Sequence, residues 1–312
     1  MPSKDKPLVL IVGPTAAGKT ALSLALAERF GGEIVSADSR QIYRGMDIGT
    51  AKATPEERAR VPHHLLDIAS PDEWYTVAQF QDAAMQTIAG IHARGKLPFL
   101  VGGSGLYVRA VAEGLQIPRI PPSPQLRAEL EAQAASHPEA LAERLRALDP
   151  GAAARIDPRN VRRVIRALEV CLLAGQPISE QQTKRAPALR CLWIGLTLPR
   201  PELYRRIDER VDRMMESGLV NEVRALAACG YAWDAPAMTG VGYRQIGTYL
   251  RSESSLEEAV REIKRATRRF VRQQYNWFRL DDPRIHWLQS DPQAEDSAVG
   301  LIREFLDSEC AE

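Results

Sequence analysis

The run Gly13-Pro14-Thr15-Ala16-Ala17-Gly18-Lys19-Thr20 matches the pattern G-x-x-x-x-G-K-[ST] at every defined position. It constrains the fold because it works only between a strand and a helix. Residues 8–12, Leu-Val-Leu-Ile-Val, are uniformly apolar and read as a buried parallel strand. Residues 19–30 carry a helical pattern closed by Gly31-Gly32. The glycines let successive N–H groups curl inward, the helix terminus adds its dipole, and Lys19 adds a charge. Thr20 is the candidate Mg²⁺ ligand through its hydroxyl. A chance Gly-rich turn would lack both flanking elements, so this segment reads as the phosphate cradle of an enzyme that grips a di- or triphosphate.

The alternation continues. Residues 33–36 and 97–101 read as strands, and 76–94 and 104–113 as helices. Together they predict an α/β fold, a P-loop NTPase-like parallel sheet flanked by helices with right-handed crossovers. Ligands bind such sheets at the C-terminal strand ends. Three polar clusters fall there: the Gly-rich loop, residues 38–41, and Gly102-Gly103-Ser104. After a proline-rich entry at 117–124, only helical signals follow: 125–136, 139–148, 160–174 and 178–184. Residues 118–188 therefore read as a helical insertion domain, and 1–117 with 189–312 as the α/β core. A strand at 192–196, helices at 201–217 and 219–228, and a strand at 285–288 complete it. The capping box Ser255-Leu256-Glu257-Glu258 opens a long helix to about residue 278.

Composition narrows the partners. With 41 basic and 40 acidic residues, the net charge of +1 announces no nucleic acid; any such surface must be local. The four cysteines are far apart and lack metal spacing. Residues 1–7 are short and charged, with no signal-peptide pattern, and no apolar run nears a membrane span. The expectation is a cytoplasmic monomer. His63-His64 lacks a third ligand, and adjacent residues diverge on a helix, so a structural role is favoured over a metal site.

A hydrolysing nucleotidase usually ends a strand in an acid that helps hold Mg²⁺. The strand at 97–101 ends in Gly102-Gly103-Ser104 instead. A transferase that only holds a phosphate fits better than a motor. Asp38, after the strand at 33–36, is placed to bind Mg²⁺ or accept a proton; a turn or N-cap Asp is the structural alternative. Arg261, Arg265, Arg268 and Arg272 step by 4, 3 and 4 along the long helix, beside a stripe of Leu256, Val260, Ile263, Thr267, Phe270, Gln274 and Trp277. Arg162 and Arg166, with Arg163 beside them, form a second basic face. Arginine suits phosphodiester backbones, while neighbouring Glu257, Glu258 and Glu262 allow a solvated face instead.

Several phrases in order now resemble one family, the bacterial tRNA dimethylallyltransferases (tRNA isopentenyltransferases). They are the Gly13–Thr20 loop and Ser36-Ala-Asp-Ser-Arg-Gln-Ile-Tyr-Arg-Gly-Met-Asp-Ile-Gly-Thr-Ala-Lys52. Pro62-His-His-Leu-Leu-Asp67, Val101-Gly-Gly-Ser-Gly-Leu-Tyr107, Arg166-Ala-Leu-Glu-Val170, Val241-Gly-Tyr-Arg-Gln245 and Trp277-Phe-Arg279 follow. The resemblance spans nearly the whole chain. It implies transfer of a dimethylallyl group from dimethylallyl diphosphate to the exocyclic amine of the adenosine 3′ to the anticodon of tRNA. It implies Asp38 as general base, Lys19, Thr20 and Arg210 at the diphosphate, and Mg²⁺ as cofactor. It implies tRNA contacts at Asp38, Ser39, Arg40, Gln41, Ser104, Arg127, Arg162, Arg163, Val164, Ile165, Arg166, Thr239, Gly240, Val241, Gly242, Tyr243 and Arg244. Position 104 carries Ser where many members have Thr, which keeps the hydroxyl. Eukaryotic relatives carry a C-terminal zinc finger; the residues after 278 offer no such ligand set. The rival readings are a P-loop enzyme acting on free nucleotides, such as a nucleotide kinase or an adenylate isopentenyltransferase, and a non-enzymatic RNA-binding module.

Overall fold

The computed structural model describes residues 6–181 and 189–308. They fall into two compact units, one of residues 6–75, 81–112 and 189–308, the other of 76–80 and 113–181. The helical unit thus begins five residues earlier than 118 and includes the first turn of a helix that the sequence assigns to the core. The expected boundary at 188 lies outside the described residues.

In chain order the first half runs β1 (Pro7–Val12), α1 (Lys19–Arg29), β2 (Glu33–Ser36), α2 (Pro55–Arg60), β3 (His63–His64), α3 (Val77–Ala93), β4 (Pro98–Gly102) and α4 (Gly105–Ala112). The helices α5 (Pro124–Ser136), α6 (Pro138–Leu148), α7 (Pro150–Ala153), α8 (Val161–Ala174) and α9 (Ile178–Gln181) follow. The chain then returns through β5 (Arg190–Thr197), α10 (Arg200–Glu216), α11 (Leu219–Ala228), α12 (Tyr243–Leu250), α13 (Leu256–Trp277), β6 (Ile285–Gln289) and α14 (Ala294–Asp307).

The sheet order is β3-β2-β4-β1-β5-β6, and every pairing is parallel. Central β1 pairs Val9 with Phe99 on one side and Leu192 on the other. Leu8 to Val12 are fully buried, which is why that stretch is uniformly apolar rather than alternating. One core joins Val9 and Ile11 with α1 and with Ala298, Val299 and Ile302 of α14. A second joins Ile42, Tyr43 and Met46 with α10 to α13 through Val211, Val223, Ile246 and Ile263. Each such aliphatic side chain contributes about 1.5–3 kcal/mol by leaving water. In the helical unit, Leu130, Leu141, Leu145, Val164, Ile165 and Leu168 form a separate core.

Five elements are absent from the sequence reading, among them the single-turn helix α7. Helix α2 is short and starts on a Thr54–Glu57 capping box. Strand β3 is a two-residue edge, far below the length at which periodicity shows. Helix α12 opens on Gly242 rather than a polar cap, and α14 buries mainly alanines beside Val299 and Ile302, a weak hydrophobic signal. His63 and His64 are the β3 edge: His64 Nε2 meets Glu33 Oε2 at 2.7 Å, and burial pushes the His63 imidazole down. Their expected structural role agrees with this position.

Candidate active site

All three polar clusters meet at the C-terminal edge of the sheet. A cavity of about 1040 Å³ opens there, lined by Thr15, Lys19, Thr20, Asp38, Gln41 and Arg210 among others. The Gly-rich loop curls as its glycines require. Gly13 has φ of 135°, and a Cβ there would fall 2.3 Å from the Leu196 carbonyl oxygen. Ala16 and Gly18 also take positive φ, at 68° and 91°, which turns successive amides toward one side.

Two cations dominate the cavity. Lys19 Nζ donates to the Gly13 and Pro14 carbonyl oxygens at 3.0 and 2.8 Å. Arg210 Nη2 donates to the Thr50 carbonyl at 3.3 Å. Of the other cations lining the cavity, Lys52 faces Asp47 and Asp67, Arg58 faces Asp67, and Arg205 and Arg206 face Glu202, while Arg213 adds a further positive charge near Arg210. Among the described residues neither Lys19 nor Arg210 sits in an ion pair. Burial and the neighbouring Arg210 push the Lys19 ammonium down to about 8, and Asp38 opposes them. Burial likewise lowers Arg210, again against Asp38. Two like charges held together over carbonyls, with one carboxylate nearby, form a site for an added anion.

Asp38 follows β2 directly. Its Oδ1 accepts from the Arg40 amide at 2.8 Å, the turn role that sequence left as an alternative, yet the side chain still lines the cavity. The turn hydrogen bond and a place on the cavity wall are thus compatible. Ser39 N–H donates to Ser104 Oγ at 3.0 Å, tying the β2 end to the β4 end. Gln41 accepts from Ser36 Oγ at 2.9 Å and donates to the Thr50 and Ala51 carbonyls at 3.3 and 3.2 Å. Arg40 Nη1 donates to the Pro236 carbonyl at 2.7 Å, as does Thr239 Oγ1 at 2.8 Å, which places residues 239–244 beside the 38–41 turn. Of that segment Thr239, Val241 and Arg244 are exposed.

Some expected contact residues are corrected by packing. Val164 and Ile165 are 2% and 4% exposed, on the inner face of α8, because the helical unit needs them as core. Tyr243 is 1% exposed, and Gly240 and Gly242 are buried. The side chains of Val164, Ile165 and Tyr243 therefore serve the protein interior, and Gly240 and Gly242 have none to offer. Arg162 and Arg163 are exposed; Arg166 and Arg127 instead share the carboxylate of fully buried Glu169, at 2.6 and 2.9 Å. The basic stripe on α13 divides in two. Arg268 pairs with Asp208 on α10 and lies over the Tyr204 ring, while Arg261 and Arg265 face Glu258 and Glu262. Arg268 is thus part of an interhelical seam, while Arg261 and Arg265, paired only within α13 and 70% and 81% exposed, lie on a solvated face, and Arg272 is exposed. The companion stripe shifts too: Phe270 and Leu256 are exposed, while Val271 and Gln274 are buried.

Gln274 is a site residue that the sequence hid among apolar neighbours. Its Oε1 accepts from the Thr15 amide at 2.8 Å and its Nε2 donates to the Gly103 carbonyl at 3.1 Å. It thereby braces the phosphate loop against the β4 end. A Cβ on Gly103 would fall 2.1 Å from that amide nitrogen, so a side chain at position 103 would displace the brace. A lone Gln at a stripe position was the available signal.

The fold and the cavity define a P-loop α/β transferase site, with an anion cradle, unpaired cations and one carboxylate at a common strand edge. The chain matches the family model described as IPP transferase over residues 41–281, and that described as isopentenyl transferase over 6–70. It is 52% identical over 304 residues to a tRNA dimethylallyltransferase of Roseiflexus sp. (strain RS-1), covering 97% of this chain and 99% of that one. A tRNA dimethylallyltransferase of Thermomicrobium roseum is 56% identical over 278 residues, 89% of this chain and 84% of the other. The full-length tRNA isopentenylpyrophosphate transferase of Bacillus halodurans superposes with a TM-score of 0.71 at 44% identity, over 98% and 99% of the two chains. A eukaryotic dimethylallyltransferase acting on tRNA gives 0.84 at 26% identity, over 97% and 80%. This chain belongs to the IPP transferase family.

Proposed function

We propose that this chain transfers the dimethylallyl group of dimethylallyl diphosphate to the exocyclic amine of the adenosine 3′ to the anticodon in tRNA. The observation that carries this reading is the pair Lys19 and Arg210, unpaired and beside Asp38 in the 1040 Å³ cavity. The allylic C–O bond breaks and the C–N bond forms. Negative charge builds on the departing diphosphate, where the loop amides, Lys19 and Arg210 stabilise it; one preorganised donor of this kind is typically worth about 3 kcal/mol. The amine lone pair is conjugated with the ring, so the amine is a weak nucleophile until its proton leaves. Asp38 takes that proton. The base must first leave the anticodon stack, at a cost of a few kcal/mol. The exposed Arg162, Arg163 and Arg244 suit the tRNA backbone. A cell supplies tRNA in the cytoplasm, and no described helix is long and apolar enough to cross a membrane.

The residues fit Mg²⁺. That ion takes one or two protein oxygens plus phosphate and water rather than an all-protein cage. Thr20 and Asp38 line one cavity, and among the described residues no cluster of three His, Cys, Asp or Glu exists. Thr20 would hold the ion, which would supply charge neutralisation at the diphosphate.

The test is incubation with labelled dimethylallyl diphosphate and either an unmodified tRNA transcript or AMP. Label is expected in the tRNA at the adenosine beside the anticodon. Label in AMP but not in tRNA overturns the reading in favour of free nucleotides.

A further inference from the structure

Residues 47–52 form a strap along the cavity wall, made of turns rather than helix or strand. Its backbone polar groups must therefore find partners outside regular structure. Three consecutive amides point to one side chain. Asp47 and Ile48 N–H donate to Glu222 Oε2 at 2.9 and 2.7 Å, and Gly49 N–H donates to Oε1 at 3.1 Å. Glu222 lies on α11, 173 to 175 residues along the chain. Successive amides around one carboxylate form an anion nest, here filled by the protein itself.

The Tyr243 hydroxyl donates to the same Oε1 at 2.5 Å. Its ring covers Gly49, where a Cβ would fall 2.5 Å from the ring edge. Burial and the Glu222 charge push the phenol well up, so it remains a donor. The far end of the strap is pinned by buried Lys52, which donates to the Tyr43 carbonyl at 2.9 Å and to Asp47 and Asp67 at 2.6 Å each. Between the two anchors, Ala51 is held at φ of 44°, and the Thr50 carbonyl accepts from both Arg210 and Gln41. Among the described residues lining the cavity Glu222 is absent, so it acts from behind the wall.

We propose that Glu222 is a positioning residue of the donor pocket: by gathering the 47–49 amides it fixes the Thr50 carbonyl that orients Arg210. The inference rests on the prenyl-transfer reading above. A misplacement of about 1 Å remote from the chemistry is enough to cost roughly 100-fold in rate.

The test compares the full-length wild type with Glu222→Gln and Tyr243→Phe, using labelled dimethylallyl diphosphate and a tRNA transcript, with kcat and KM measured for each substrate. Gln keeps the shape of Glu but turns an N–H toward the strap amides. Glu222→Gln is expected to lower kcat/KM for the donor about 10- to 100-fold while tRNA KM stays within about threefold. Tyr243→Phe keeps all three amide bonds and is expected to lower it only about 2- to 5-fold. Wild-type donor kinetics in Glu222→Gln, or equal losses for donor and tRNA, overturn the positioning role. Should Glu222→Gln fail to fold, unchanged donor kinetics in Tyr243→Phe overturn it, and a donor-only loss there supports it. A wild type that labels no tRNA overturns the prenyl-transfer reading and this inference with it.

Discussion

Two arginine-bearing regions use the same chemistry to opposite ends. At the sheet edge, Lys19 and Arg210 are fixed by carbonyl oxygens, which orient a cation without neutralising it. In the helical unit, Arg127 and Arg166 converge on the fully buried carboxylate of Glu169. A carbonyl-held cation still attracts an anion, whereas a carboxylate-held one is spent on holding helices together. Glu169 also accepts from the Ser123 amide at 2.7 Å and so pins the start of α5 to α8. The difference teaches that the partner of a basic side chain, rather than its presence, separates binding from architecture.

Four measurements break or sharpen that contrast. The largest effect belongs to the carboxylate that faces the free cations. Asp38→Ala is expected to lower the rate of transfer by roughly 10²- to 10⁴-fold with tRNA affinity largely kept, read by single-turnover labelling and filter binding. Near-normal turnover removes Asp38 from the proton-accepting role.

Next is the carboxylate of the structural region. Glu169→Gln leaves two partly buried guanidiniums without their counter-charge and is expected to destabilise the chain by about 3 kcal/mol in urea unfolding. Donor KM per folded molecule should not move. A donor KM that rises while stability is unchanged inverts the assignment of the two regions.

The third is pH. The Lys19 ammonium titrates at about 8 in the free protein, below its ordinary range, and only its protonated form attracts a diphosphate. Donor kcat/KM should therefore be level below about pH 8 and fall up to tenfold per unit above it. Bound diphosphate holds the proton on, so kcat should decline later than kcat/KM. A flat profile to pH 10 removes Lys19 as the titrating cation.

The smallest effect is at the surface. Arg162→Ala and Arg163→Ala should each weaken tRNA binding a few-fold and reduce its salt slope by about one, with donor binding unaltered. Equal salt slopes for tRNA and donor would show that these arginines, like Arg166, are not free for phosphate.

Local rules made the phosphate loop, the strand before it and the helix after it legible. Glycine geometry and apolar continuity are written in adjacent residues, and Gly13 and the 8–12 run behave as those rules require. Asp38 was readable for the same reason, since a strand end delivers whatever follows it. The arginine faces were readable only as spacing. Spacing places Arg268 and Arg272 on a common face, but Asp208, which spends Arg268, lies 60 residues away.

What the sequence by itself determined is therefore the cradle and its position in a parallel sheet, because those depend on neighbours along the chain. The tertiary structure alone decided which cations stay free, that Gln274 braces the cradle, and that Glu222 holds the pocket wall. The contacts of Arg210, Gln274 and Glu222 each join residues more than a hundred positions apart. No periodicity encodes such a pairing; it exists only once the cores have brought the helices to the sheet edge.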